Sequence, residues 1–188
     1  HMTYSRIAPK LVTLTTGVVL LTTVIASHAD EAADIAKLAR QGQPAQALER
    51  ANLWLAKNPK DAQVRFQKGL ILAEQGRTSD AIGVFVALTQ DFPELPEPHN
   101  NLAVLYASQG QYDKSRRELE LAIQTHPSYA TAHENLGDIY AQLARQAYDK
   151  ALNLDKSKTS AQTKLALIKT LPIGAIGRPV PNVVTERV

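Results

Sequence analysis

The chain has 188 residues, 44% of them apolar and only 5% aromatic, enough for one domain with a core and better suited to close helix–helix packing than to a sheet. The formal charge of +3 overstates its basicity: Arg6 and Lys10 lie in a segment with no acidic residue, leaving 19 of the 21 basic residues against 18 acidic ones, too even a balance for a nucleic-acid face. The absence of cysteine excludes disulfides, thiolate metal sites and a lipid-modified N-terminal cysteine, and leaves the compartment open.

In chain order, the first element is an export signal. His1 precedes Met2 as a cloning remnant. A short basic region with Arg6 and Lys10 leads into the uncharged run Leu11 to Ile25, followed by Ala26-Ser27-His28-Ala29. Charged, apolar, then small residues is the order of a secretory signal, with Ala29 the last residue before the cut. The run is 15 residues long and rich in threonine, short for a membrane span of about 20. The expectation is a signal peptide over residues 1–29, with a retained membrane anchor as the alternative.

Next comes a repeat. Pro59, Pro93 and Pro127 are spaced by 34 residues, and Gly42, Gly76 and Gly110 stand 17 residues before them. A second unit, residues 62–95, carries Gly69, Gly76, Ala81, Phe85 and Pro93. A third, residues 96–129, carries Leu102, Ala103, Tyr106, Gly110, Tyr112, Ser115, Ala122 and Pro127. The period and these residues resemble the tetratricopeptide repeat (TPR) family. That resemblance implies an all-α fold, a right-handed superhelical stack of antiparallel helix pairs. Small residues at repeat positions 8, 20 and 27 let the two helices approach, and larger residues fill the space between them. The first unit, residues 30–61, fits with Gly42, Ala47 and Pro59 but departs with Ile35 where a small residue is expected and Ala51 where an aromatic is expected.

The fourth unit, residues 130–156, opens in register with Leu136, Gly137 and Tyr140, then loses five residues. The interhelix turn and its glycine are what is missing. The series Leu136, Tyr140, Leu143, Ala147, Ala151, Leu154 keeps helical spacing without interruption, which predicts one long helix, with a tightly trimmed hairpin as the alternative. A capping helix over 158–171 follows, with Ala161, Leu165, Ile168 and Leu171 on its apolar stripe and Pro172 as its stop. Residues 172–188 contain Gly and Pro without periodicity and are expected to form a flexible tail.

Few residues offer chemistry. His99 and His133 share repeat position 4, but no further ligand stands at metal spacing, so both are expected as half-buried packing residues. Tyr106, Tyr112, Tyr140 and Tyr148 are likewise expected between helices. There is no phosphate-cradling glycine loop and no nucleophile elbow. The reading is a non-enzyme without cofactor or metal.

The resemblance implies a concave groove lined by the first helix of each pair. Its residues here are Gln63, Phe66 and Leu70, then Glu97, Asn100, Asn101, Val104 and Ser108, then Glu134, Asn135 and Asp138. Asn101 and Asn135 occupy the same repeat position, where an amide suits the backbone of an extended peptide. Glu134 and Asp138, one turn apart, favour a basic side chain. No Lys or Arg stands at the groove positions that grip a C-terminal carboxylate in some relatives, which disfavours an acidic tail as ligand. The expected partner is a protein or peptide segment, not nucleic acid, held with micromolar affinity. The expected role is a periplasmic adaptor or co-chaperone-like module of a Gram-negative bacterium. The alternative is a membrane-tethered scaffold that associates with itself or within a larger envelope complex.

Overall fold

The computed structural model describes residues 30–172, so the signal expected over 1–29 and all but the first residue of the expected tail lie outside the described residues. The described chain folds into helices without a strand. They are α1 (residues 30–40), α2 (Pro44–Lys57), α3 (Ala62–Glu74), α4 (Thr78–Asp91), α5 (Pro96–Ser108), α6 (Tyr112–Thr125), α7 (Ala130–Leu154) and α8 (Thr159–Thr170). From α2 onward each helix packs on the next, so the described residues form an all-α solenoid.

Two local rules set the spacing. Within a pair, Gly42, Gly76 and Gly110 adopt φ of 76°, 72° and 73°, a region that a side chain resists. At the second of these turns the Gly76 N–H donates to Ala73 O at 3.0 Å and the Arg77 N–H to Leu72 O at 2.9 Å, the two-bond glycine stop of a helix. Between pairs, the residue before each proline leaves the helix, with φ of −129° at Asn58, −136° at Phe92 and −140° at His126. Each proline then takes the second place of a turn closed by the next-but-one N–H, as Leu95 N to Phe92 O at 3.1 Å shows.

Packing within each pair is a volume match. In the second unit Gly69 makes room for Phe85: a Cβ built on Gly69 would lie 2.7 Å from Phe85 Cζ. Phe85 is fully buried and meets Phe66 edge-on, with ring centroids 5.3 Å apart. The third unit uses Ala103 and Leu119 at the same two places, both fully buried. The first unit inverts the arrangement. Ile35 and Ala51 are both fully buried in one cluster, so the bulk sits on the first helix and the gap on the second. The departure seen in the sequence is therefore an exchange of volumes, not a loss of packing.

Buried residues gather in two clusters that meet on α5. The first joins α1 to α5 and includes Leu102 and Leu105; the second joins α5 to α7 and includes Ala103 and Ala107.

α7 is one helix of 25 residues, roughly 37 Å long against about 20 Å for its neighbours. Its buried residues, Ala132, Asn135 and Ile139, all lie in the first half. The second half pairs with α8, which returns along it. Two expectations about this region need correction. Tyr140 is 50% exposed and does not pack between helices, and Leu171, expected on the apolar stripe of the capping helix, is 51% exposed because it is the C-cap residue past the last turn of α8. For Tyr140 the physical reason is the missing turn: the second helix against which Tyr140 would pack never forms. Gly137, at the same repeat position as Gly69, correspondingly has nothing within 4 Å of an added Cβ. At the end of α7, Asp155 replaces the proline signal. Its Oδ1 accepts from the Ser157 N–H at 2.9 Å and from Ser157 Oγ at 2.6 Å, and these bonds hold its carboxyl below the usual carboxylate range.

Candidate functional site

The sequence-expected groove residues fall on α3, α5 and the first half of α7. α5 and α7 touch directly, and the link is polar: Asn135 Nδ2 donates to Asn100 Oδ1 at 2.9 Å, with both residues buried. One of the two amides expected to meet a ligand thus also ties adjacent repeats together. The spacing of Asn101 and Asn135 made that equivalence visible, but the preceding Asn100, which supplies the acceptor, had no signal beyond being polar in a first helix.

Exposure across the set is uneven. Ser108 and Glu134 are exposed, and Gln63, Glu97 and Asp138 are half-buried. Phe66, Leu70, Asn100, Asn101, Val104 and Asn135 are buried. Phe66 and Leu70 belong to the first core cluster, and Phe66 spends its ring edge on Phe85. The apolar groove residues are therefore divided: Val104 joins neither of these core clusters, whereas Phe66 serves packing within its own pair.

The centre of the face is polar and incompletely satisfied. Asn100 Nδ2 and Glu97 Oε2 are buried without a hydrogen-bond partner, an arrangement that costs stability unless a further group supplies one. Tyr129 stands nearby at the end of the third unit. Burial, then the charge of Glu97, pushes its hydroxyl up to about 12, so it stays a neutral donor. At the C-terminal edge, burial and the neighbouring charge of Glu134 raise the Asp138 carboxyl above its ordinary value. The site thus offers amides, a phenol hydroxyl and the Glu97 carboxylate at its middle, and two further carboxylates, Glu134 and Asp138, at one end.

The two histidines separate. His99 Nδ1 lies 2.7 Å from Glu118 Oε2, half-buried on α5, whereas His133 is exposed and donates Nε2–H to the Pro127 carbonyl at 2.9 Å. Half-burial of His133 is not observed, because the helix that would cover its edge of the fourth unit is missing. Among the described residues no group of three His, Cys, Asp or Glu could hold a metal ion, and no helix is long and apolar enough to cross a membrane.

Comparison with known proteins gives a consistent answer. Residues 37–96 match the family model described as tetratricopeptide repeat, and residues 105–143 match a TPR repeat model. The chain is 31% identical over 84 residues to the chloroplastic tetratricopeptide repeat domain-containing protein PYG7 of Arabidopsis thaliana, covering 42% of this chain and 28% of that protein. It is 28% identical over 75 residues to the TPR repeat-containing thioredoxin TTL4 of the same plant, covering 40% of this chain and 11% of that one. The chain therefore spans well under a third of either relative. Among solved structures, a tetratricopeptide repeat protein from Parabacteroides merdae superposes with a TM-score of 0.57 at 20% identity, over 77% of this chain and 59% of that one. The MamA protein superposes with a TM-score of 0.56 at 19% identity, over 76% and 81% of the two chains. The Naa15/Naa10 complex bound to HypK-THB contains a chain that matches with a TM-score of 0.52 at 20% identity, over 76% of this chain and 22% of that one.

Proposed function

Because the chain belongs to the tetratricopeptide repeat family, a fold of protein–protein interaction modules, we propose that it is a periplasmic adaptor that captures a segment of another protein on its concave face. The observation that carries this reading is the pair of buried, unpartnered atoms at the centre of that face, Asn100 Nδ2 and Glu97 Oε2. A backbone laid across the face supplies both an acceptor for the first and a donor for the second, which a solvated helix face has no need to prepare. Glu134 and Asp138 then select a segment with a basic residue at the end that meets α7. Export rests on the order of Arg6, Lys10, the uncharged run and Ala29. The reading includes a co-chaperone-like role in the envelope, with affinity in the micromolar range for a contact at the small end of protein interfaces.

The tethered scaffold is the second reading, favoured by the same apolar run if it is retained. One experiment separates the two. The full chain is produced in a Gram-negative host with a photoreactive residue at Gln63, cells are irradiated, and the processed protein is isolated. A start at Asp30 in the osmotic-shock fraction, with a foreign protein attached at Gln63, supports the adaptor. An intact N-terminus in the membrane fraction, or attachment only to a second copy of the chain, overturns it in favour of the scaffold.

A further inference from the structure

We infer that the cleft between α2 and α4, floored by α3, is a second binding site, and that its ligand is a small amphipathic molecule with an apolar body and a single negative charge. The site is separate from the concave groove and does not depend on what that groove holds.

α2 and α4 both pack on α3. Between them lies a cavity of about 730 Å³ whose apolar walls include Leu48 and Leu55 of α2, Leu72 of α3 and Val84 of α4. That volume is in the range of small-molecule sites, roughly 300–1,000 Å³. α3 also contributes Arg65 and Lys68. At about 100° per residue, positions 65, 68 and 72 share one face of α3, and the groove positions 63, 66 and 70 fall on the opposite face.

Two residues keep this cavity open. Lys68 stands at repeat position 7, where the third and fourth units carry Leu102 and Leu136. Leu102 is 1% exposed and fills its place in the core. Lys68 is only half-buried, so its unit has a cationic group where the next has packed hydrocarbon. Gly83, in the interior of α4, is the second. The units before and after it carry Glu49 and Arg117 at the same place. An added Cβ at Gly83 would meet nothing within 4 Å, so no packing contact among the described residues calls for glycine there, although glycine weakens a helix.

The charges define the ligand. Of the three basic side chains lining the cavity, two are already held: Arg65 Nη1 lies 2.6 Å from Asp91 Oδ2, and Arg77 Nη2 lies 2.6 Å from Asp80 Oδ2. Lys68 has no ion pair or hydrogen bond among the described residues. An ammonium set among leucines loses water without gaining a counter-charge, and one anionic head on the ligand supplies it. A second negative charge would face Asp80 and Asp91. Along α3 and the turn after it the order is Arg65, Lys68, Leu72, Arg77, so the two ion pairs stand towards the ends of the cavity and the free ammonium stands between them. That arrangement suits a compact molecule better than a continuous chain.

The test titrates the full 188-residue chain with two fluorescent probes: anilinonaphthalene sulfonate, an aromatic body with one negative charge, and phenylnaphthylamine, the same body without it. Lys68→Met keeps an unbranched side chain and removes the charge. It is expected to weaken the sulfonate by about tenfold, the worth of one charge-assisted contact, and to leave the neutral probe unchanged. Gly83→Leu puts a good helix former at an exposed position and its side chain into the cavity, and is expected to abolish binding of both probes. Far-UV circular dichroism of both variants should match that of the parent. Glu134→Gln, at the exposed end of the concave groove, should leave both probes unaffected. No binding by the parent chain, an equal effect of Lys68→Met on the two probes, retention of both by Gly83→Leu, or loss in Glu134→Gln would each overturn the inference. None of these outcomes touches the adaptor reading, which is decided on the processed protein with the photoreactive residue at Gln63.

Discussion

Substituting the same residue type at the same repeat position should have opposite effects in two units. Gly69 and Gly137 both occupy repeat position 8, and both are interior to a helix. Alanine in a helix interior is worth about 1 kcal/mol over glycine. At Gly137 nothing lies within 4 Å of the new methyl, so Gly137→Ala should stabilise by about that amount. At Gly69 the methyl would lie 2.7 Å from Phe85 Cζ, roughly 1 Å inside ordinary carbon–carbon contact. Phe85 is fully buried and its ring is held edge-on by Phe66, so it has nowhere to retreat. Overpacking of this kind costs about 1–3 kcal/mol, and a pinned ring belongs at the upper end. The net expectation for Gly69→Ala is a loss of about 2 kcal/mol, about 3 kcal/mol away from its counterpart. Urea denaturation followed by far-UV circular dichroism reads both. Phe85→Leu should rescue Gly69→Ala by at least ~1 kcal/mol beyond additivity, since the double variant reproduces the Ala103–Leu119 pair of the third unit. Equal signs at the two glycines would refute the reasoning. Destabilisation at Gly137 in particular would mean that a second helix packs there and that α7 is not one continuous element.

Three more outcomes follow from single sites. Ser115 is fully buried with an unpartnered Oγ, where the first two units carry Ala47 and Ala81, so Ser115→Ala should raise stability by about 1 kcal/mol in the same urea assay. Gly110→Ala places a side chain at φ 73° and should cost about 1–2 kcal/mol, read as an earlier thermal midpoint. The Asp138 carboxyl is raised in the folded chain, by burial and then by Glu134, so its ionised form opposes folding. Its cost is absent below the unfolded value of 3.8, appears as pH rises through the raised folded value, and is complete above it. Asp138→Asn should therefore stabilise at neutral pH and lose that advantage at low pH, and a pH-independent difference between the two proteins would contradict the assignment.

Much of the fold was legible because its punctuation is local. A glycine that must take positive φ and a proline that ends a helix act through their own backbones, so Gly42, Gly76, Gly110 and the three prolines mark the hairpins directly. The uninterrupted spacing after Leu136 announced the long helix for the same reason. Packing was less legible because it is a property of pairs. Ile35 and Ala51 each look wrong alone and are right together. Tyr140 was assigned a place between helices although the missing turn had already removed its neighbour. In the groove, the residues were placed on the correct helices, but the division between core and face was not. Phe66 turns to Phe85, and Asn135 finds Asn100 across a helix boundary. Those contacts depend on how closely successive pairs approach, which no periodicity records.

The meeting of two unlike clusters on α5 bears on where the array tolerates added volume. One side of this helix is held by leucine, isoleucine and phenylalanine, and the other largely by alanines at 103, 107, 122 and 132 with Leu119 and Ile139. The second cluster draws its bulk instead from partly buried residues at its margin, Tyr112, Ile123, Tyr129, Leu136 and Leu143. Volume is thus central before α5 and peripheral beyond it, so a side chain enlarged at 103, 107, 122 or 132 would meet the tightest part of the second cluster.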